Sequence, residues 1–480
     1  MTRKPFVAIL GLDGADHRLI ERWSAEGHLP AFAQLLREGT YGPIESTAEI
    51  LSGTPWLSIA SGCNPAKCGT YERHQIKSGT YEVRRIQARD LQQPQFWHSF
   101  GGPIVAVDVP KAPLSPGLDG IQVVEWGAYD HYSKLSSVPA GLSDEVLAKF
   151  GRHPFVDGRF EEVLHERRDF ESLKIQILDG IRMKHRLNLS LIDRYHPRLL
   201  VSVFGETHAA GHAFWRFQDP RHPLYEPASS GENALRDTYQ AIDCALAEFL
   251  EELPRDYVLV VVSGHGFDLD NRAGDLLQQA LTRMGMTVAR HANSRYAAYV
   301  PALSLDMRRT RAFCLPTAWQ GLVRINLDGR EPDGIVTESE YESVCAEITA
   351  ELLALRHRDT NAPVVRAVVQ PRNLYRGSFI DELPDLSVIW DTARIVREVV
   401  SPKCGLIRSD ADLSGGCGNH RGTGFLIAYG PGVGSGRITG RDHDIAPTIS
   451  EWLGEKALPH WDGLPLKLTE SPSTLARENA

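Results

Sequence analysis

Short, nearly unbroken apolar runs recur along this chain at residues 6–10, 104–109, 121–124, 199–204 and 257–262. Runs of that length, rich in Val, Ile and Leu, mark strands buried on both faces of a parallel sheet. Between them, residues 29–39 show helical spacing and stop at Gly39, and the stretches 170–195 and 232–252 predict two longer helices. Strands alternating with helices predict an α/β fold, a mostly parallel central sheet flanked by helices on both faces. Ligands of such sheets bind beyond the carboxyl ends of the strands. From about residue 270 the alternation weakens. Residues 322–327 and 386–390 read as strands and 338–356 as a helix, so an inserted cap subdomain is expected over 271–415. Core-like patterning returns at 424–431 and in a helix after Asp444. The expected division is therefore 1–270 and 416–467 for the core, 271–415 for the insert, and a flexible tail at 468–480, rich in Ser, Thr, Pro, Glu and Asn.

Composition narrows the function classes. The chain has 480 residues, 42% of them hydrophobic and 24% charged, as in a soluble globular protein. A net charge of −9 argues against nucleic acid or an anionic membrane bound by bulk attraction. No apolar run approaches the 18 or so residues of a membrane span, and the run at 6–10 is too short for a secretory signal. Seven scattered cysteines, an odd number, fit a reduced, cytoplasmic setting better than a disulfide framework. Cys63 and Cys68 have no matching second pair, which argues against a structural zinc knuckle.

The chemistry centres on residues 46–62, where a polar, turn-prone segment runs into a short apolar helix with Ser52 at the junction. Gly53 permits a tight turn and Pro55 suits the first helical turn, so free N–H groups would face an oxyanion held beside Ser52. Read alone, Ser52 is a helix cap. Four other places change that reading: Asp13, His208 with His212, His265, and His420. Each follows a predicted strand or precedes the last one, so all would meet on one rim of the sheet next to Ser52. Histidine and carboxylate ligands so arranged suit Zn²⁺, or Mn²⁺ or another divalent ion. Such an ion would ease ionisation of the Ser52 hydroxyl and neutralise a tetrahedral oxyanion.

These segments together resemble the type I phosphodiesterase/nucleotide pyrophosphatase branch of the alkaline phosphatase superfamily. Residues 11–14 (Gly-Leu-Asp-Gly) match its first strand exit, and Ser52 stands at its Ser/Thr nucleophile position. Residues 205–215 resemble its metal-binding loop, with 219–223 continuing it, and 263–266 (Ser-Gly-His-Gly) its Ser-Asp-His-Gly signature. Residues 419–421, 430–433, 444–449 and 462–463 resemble its C-terminal pattern, and 324–332 a further segment of relatives. The resemblance implies an alkaline-phosphatase-like fold, one or two metal ions per chain, and a covalent intermediate on Ser52. It assigns Asp13, Ser52, His208, His212, His265 and His420 as metal ligands.

Two positions depart from the family pattern. The usual Asp four residues before the loop histidine is His208, giving a His208–His212–His420 set, and the usual Asp of the signature is Gly264. The second change leaves the site of Asp13, Ser52 and His265 one ligand short, unless Glu206, Asp268 or Asp270 reaches in. The expected function is a metal-dependent hydrolase of small phosphate esters, phosphodiester or nucleotide in type. A transferase of phosphoryl, sulfuryl or sulfamoyl groups and a catalytically silent nucleotide-binding relative are the alternatives. Thr54 is the second candidate nucleophile. Sulfatase-type activation is disfavoured, because Thr54 and Trp56 stand where that branch carries Pro and Arg. Arg324, Arg330 and Arg421 are candidate anion clamps, and Phe214, Trp215, His222 and Tyr225 are candidates to pack a base or sugar.

Overall fold

The apolar runs form the middle of a ten-stranded sheet. The structure is a computed structural model and describes residues 5–129, 131–156, 170–225, 233–290, 304–317, 321–409 and 417–467. The expected tail at 468–480 lies outside them. Across the sheet the order is Gly436–Arg437, Thr40–Glu45, Thr423–Tyr429, Tyr257–Ser263, Phe6–Leu12, Leu199–Phe204, Ile104–Val107, Gly120–Val124 and Ser136–Val138, with Gly440–Arg441 also pairing to Thr40–Glu45. The five strands from Tyr257–Ser263 to Gly120–Val124 are parallel. Thr423–Tyr429 and Ser136–Val138 flank them antiparallel.

Phe6–Leu12 lies at the centre, and every residue in it is buried. Side chains along a strand alternate between faces, so one strand feeds two cores. Ala8, Leu10 and Leu12 pack with Ile181, Leu187 and Phe249. Val7 and Ile9 pack on the other face with Trp56, Ile59 and Ile449. The long helix is Phe170–Tyr195, as its spacing predicts, and the next is Ala234–Glu252. The run at 104–109 is cut short at Val107 because Asp108 takes φ 49 and turns the chain. Its carboxylate accepts the N–H groups of Trp126 and Gly127, each at 2.8 Å, and meets Lys184 Nζ at 3.0 Å with both side chains fully buried.

Residues between the Tyr257–Ser263 and Thr423–Tyr429 strands build smaller antiparallel sheets. One runs in the order Ala312–Cys314, Gly321–Ile325, Leu386–Trp390, Val365–Val369. It shares a separate apolar core with the helices Gly274–Arg283 and Glu338–Leu353 through Leu276, Leu281, Val323, Val344, Ile348 and Leu386. The latter helix ends before the predicted 356, since Arg356–His357 joins a three-stranded sheet. Ser387 Oγ donates to the Ile50 carbonyl at 2.5 Å, tying this sheet to the segment that carries Ser52. All seven cysteines are free thiols. Among the described residues no helix is long and apolar enough to cross a membrane.

Candidate active site

Three parallel strands deliver their exits to one rim: Phe6–Leu12 to Asp13, Leu199–Phe204 to the helix Glu206–Phe214, and Tyr257–Ser263 to His265. Thr423–Tyr429 runs the other way, so it starts at that same rim, just after His420. His208 and His212 stand one helical turn apart and share a face of Glu206–Phe214. His420 lies on the short strand Gly418–Arg421, opposite Phe267 of Gly266–Leu269.

The three imidazoles converge through their Nε2 atoms, at 2.9 Å for His208 to His212 and 3.2 Å for His420 to each of the others. Ligands held tetrahedrally at ~2.0–2.1 Å from zinc would be about 3.3 Å apart, so the triangle matches one face of such a site. The tautomers agree. His208 Nδ1 lies 2.9 Å from Asp13 Oδ2 and His212 Nδ1 2.8 Å from the Gly418 carbonyl. Each Nδ1–H is donated there, which turns the Nε2 lone pair of both rings toward the common point. The rings are held by aromatic neighbours. Tyr129 stacks on His208 at 4.3 Å and Phe267 meets His212 edge-on at 4.7 Å. Gly211 makes this possible, since a Cβ there would sit 2.6 Å from Phe267. Burial and the neighbouring His265, His208 and His212 hold the His420 imidazole well below its ordinary range, so it stays neutral. The donor set, spacing and protonation state all fit a divalent cation of the zinc type.

Asp13 and His265 form a second gathering, again with His208. His265 Nε2 is 3.6 Å from Asp13 Oδ1, and its ring stacks on His420 at 4.1 Å. Burial alone would raise the Asp13 carboxyl, but His208 and His265 outweigh it and hold the group well below the usual carboxylate range. Trp56 Nε1 also donates to Asp13 Oδ1 at 2.6 Å. At Gly264, a Cβ would point at Pro55 Cβ, 2.7 Å away, and Ile59 Cδ1, 3.2 Å away. The helix Pro55–Ser61 thus presses against the position where the family resemblance implies a further ligand.

Each of the three carboxylates that could have made up the missing ligand already meets a basic side chain. Glu206 is fully buried and pairs with His153 Nε2 at 2.8 Å. Asp268 accepts from Arg221 at 2.5 Å, and Asp270 meets Arg272 at 3.1 Å.

Ser52 lies between the 3₁₀ turn Thr47–Glu49 and the helix Pro55–Ser61. It is not the helix cap. Thr54 holds that position, and its hydroxyl donates to the Leu51 carbonyl at 2.6 Å, which removes Thr54 as a ready nucleophile. Gly53 is required by close approach, since a Cβ there would stand 2.4 Å from the Tyr71 carbonyl. Ser52 Oγ donates to Glu72 Oε2 at 3.2 Å. Lys111, at φ 58, reaches the Gly53 carbonyl with Nζ at 2.5 Å. Sequence reasoning missed Glu72, Lys111, Trp56 and Tyr129. Glu72 and Lys111 sit in irregular segments with no periodic signal.

The three arginines separate. Arg324 is buried against Glu331 at 2.7 Å and two backbone carbonyls, and Arg330 binds Asp385 at 2.6 and 2.8 Å. Both are absorbed by a protein ion network, so the expectation that they clamp substrate is corrected. Arg421 differs. Its Nη1 is buried and meets no acceptor among the described residues. It lines a cavity of about 70 Å³ together with His420, Arg366, Asp268, Glu49 and Trp390. Phe214, Trp215 and His222 are core residues, and burial, then Arg216 and Arg272, push the His222 imidazole down to about 4.

The sequence profile described as type I phosphodiesterase / nucleotide pyrophosphatase matches residues 7–396. No curated protein sequence matches. Among solved structures, the phosphonoacetate hydrolase of Sinorhizobium meliloti 1021 in complex with phosphonoformate superposes with a TM-score of 0.55 at 17% identity, over 95% of this chain and 96% of that one. Wild-type alkaline phosphatase PafA superposes with a TM-score of 0.54 at 12% identity, over 97% of this chain and 99% of that one. These likenesses establish the alkaline-phosphatase-like fold, and with a family profile spanning most of its length the chain belongs to the type I phosphodiesterase/nucleotide pyrophosphatase family.

Proposed function

We propose that the protein is a metal-dependent hydrolase of small phosphate esters, phosphodiester or nucleotide in type, with Ser52 as nucleophile. One observation carries the reading: three imidazole Nε2 atoms lie within 3.2 Å of one another, beside Asp13, which the helix Pro55–Ser61 reaches through Trp56. A divalent cation held there would supply positive charge beside the non-bridging oxygens of the transferred group. Glu72 accepts the Ser52 proton as Oγ attacks phosphorus. The Oγ–P bond forms, the ester P–O bond breaks, and the leaving oxygen takes a proton from solvent. Water then attacks that phosphorus and gives up a proton to solvent, the Oγ–P bond breaks, Glu72 returns its proton to the departing Ser52 Oγ, and the phosphate product leaves. Arg421, whose Nη1 has no hydrogen-bond partner among the described residues, lines the cavity beside His420 and meets an anionic oxygen of the substrate.

The test uses protein reconstituted with Zn²⁺ or Mn²⁺ against nitrophenyl phosphate, bis-nitrophenyl phosphate and nitrophenyl sulfate, with and without acceptor alcohols. Metal-dependent turnover of a phosphate ester is expected, falling by about 10³-fold or more in Ser52→Ala. Unchanged turnover in that variant rejects Ser52. Full activity of metal-free protein rejects the metal. Faster turnover of the sulfate, or product appearing only on the alcohol, transfers the assignment to a sulfate ester or to a transferase.

A further inference from the structure

We infer that this chain binds one divalent cation, on His208, His212 and His420, and that Asp13 serves that site as the carboxylate orienting His208 rather than as a ligand of a second ion. The inference rests on the metal-dependent reading above and sets this chain apart from a two-metal arrangement.

Four observations lead to it. First, the two ligand gatherings among the described residues share His208. Its Nε2 faces His212 and His420, while its Nδ1 is 2.9 Å from Asp13 Oδ2. For His208 to join both sites, Nδ1 would lose its proton and set a lone pair against a carboxylate oxygen. Kept as Nδ1–H···Oδ2, the contact is the carboxylate–histidine pairing that commonly orients and strengthens a metal-bound imidazole. Second, Asp13 is used on both oxygens, Oδ2 by His208 and Oδ1 by the Trp56 indole at 2.6 Å. Third, without His208 a second site retains Asp13 and His265, with Ser52 as its one other expected donor, and the Ser52 hydroxyl is turned to Glu72 Oε2 at 3.2 Å. Fourth, the place of a further donor is crowded. A Cβ at Gly264 would stand 2.7 Å from Pro55 Cβ, and Glu206, Asp268 and Asp270 already pair with His153, Arg221 and Arg272. Trp56 and Pro55 belong to the same helix, so one element both occupies Asp13 and fills the space beside Gly264.

The experiment counts ions. Wild-type protein, Asp13→Asn and His265→Ala are equilibrated with excess Zn²⁺, desalted and analysed by inductively coupled plasma mass spectrometry, and each is titrated with Co²⁺ while its visible d–d absorption is followed. One ion per chain is expected in all three, with a single Co²⁺ inflection. Asp13→Asn should keep the band shape but weaken affinity about 10–100-fold, since its amide oxygen still accepts from His208 without the charge. Two ions in the wild-type protein, or a fall from two to one in either variant, overturns the inference while leaving the metal-dependent reading intact. A wild-type protein that retains no ion overturns the metal-dependent reading itself. The wild-type titration needs no variant to fold, and circular dichroism checks those that do.

Discussion

Ser52 and Glu72 are twenty residues apart in sequence, yet Ser52 Oγ donates to Glu72 Oε2 over 3.2 Å. A carboxylate so placed can take the proton a serine must lose to become a nucleophile. Glu72→Gln keeps the shape and an acceptor but cannot hold that proton. The expected result is a fall in kcat of about 10²–10⁴-fold, with metal content unchanged and the acidic limb of the pH–rate profile lost. An unaltered pH profile would remove Glu72 from the reaction.

Gly264 makes a sharper case about ancestry and packing. Gly264→Asp supplies the residue that the family resemblance implies, yet its Cβ would stand 2.7 Å from Pro55 and 3.2 Å from Ile59. Overpacking of this kind typically costs about 1–3 kcal/mol. Denaturant unfolding should show that loss, and the bound-ion count should not rise.

The buried network around Asp385 should contribute to stability in acid. Its carboxylate accepts from Arg330 at 2.6 and 2.8 Å, from the Tyr341 hydroxyl at 2.8 Å and from the Ile325 N–H at 2.6 Å. Burial alone would raise this carboxyl, but Arg330 and Arg324 outweigh it and hold it below its ordinary value. A depressed carboxyl contributes stability that is complete above the unfolded value of ~3.9 and is lost as pH falls through the folded value. Asp385→Ala should cost about 3 kcal/mol at neutral pH, because Arg330 keeps only Glu331 as a carboxylate partner and the Tyr341 hydroxyl and Ile325 N–H lose their acceptor. It should also flatten the loss of stability below about pH 4. Urea unfolding between pH 3 and 7 measures both.

Metal removal should be visible in thermal stability. A cation bound only by the folded chain stabilises it by about 2.7 kcal/mol at a hundredfold excess over Kd. Chelation should therefore lower Tm and added Zn²⁺ restore it. His212→Ala should show neither shift.

How much of this was legible in the sequence follows from where each signal resides. The strands Phe6–Leu12, Leu199–Phe204 and Tyr257–Ser263 are apolar on both faces, so their runs, and the rim residues Asp13, His208 and His265 that follow them, could be read directly. His420 could be placed because it precedes an equally apolar strand. Arg324 and Arg330 misled because a guanidinium bound to Asp385 or Glu331 looks, in sequence, like one awaiting an anion. Partner choice is set by tertiary contacts, here between residues 55 positions apart. Glu72 lies in an irregular loop, and its approach to Ser52 depends on the turn at Gly53 packing against Tyr71. Trp56 was read only for not being arginine, whereas its indole is what reaches Asp13.

Anomalous diffraction at the zinc absorption edge, from crystals of the zinc-reconstituted protein, tests the central claim most directly. A single peak is expected about 2.0–2.1 Å from Nε2 of His208, His212 and His420. No peak within reach of those three nitrogens, or one bound instead by Asp13 and His265, would contradict the account.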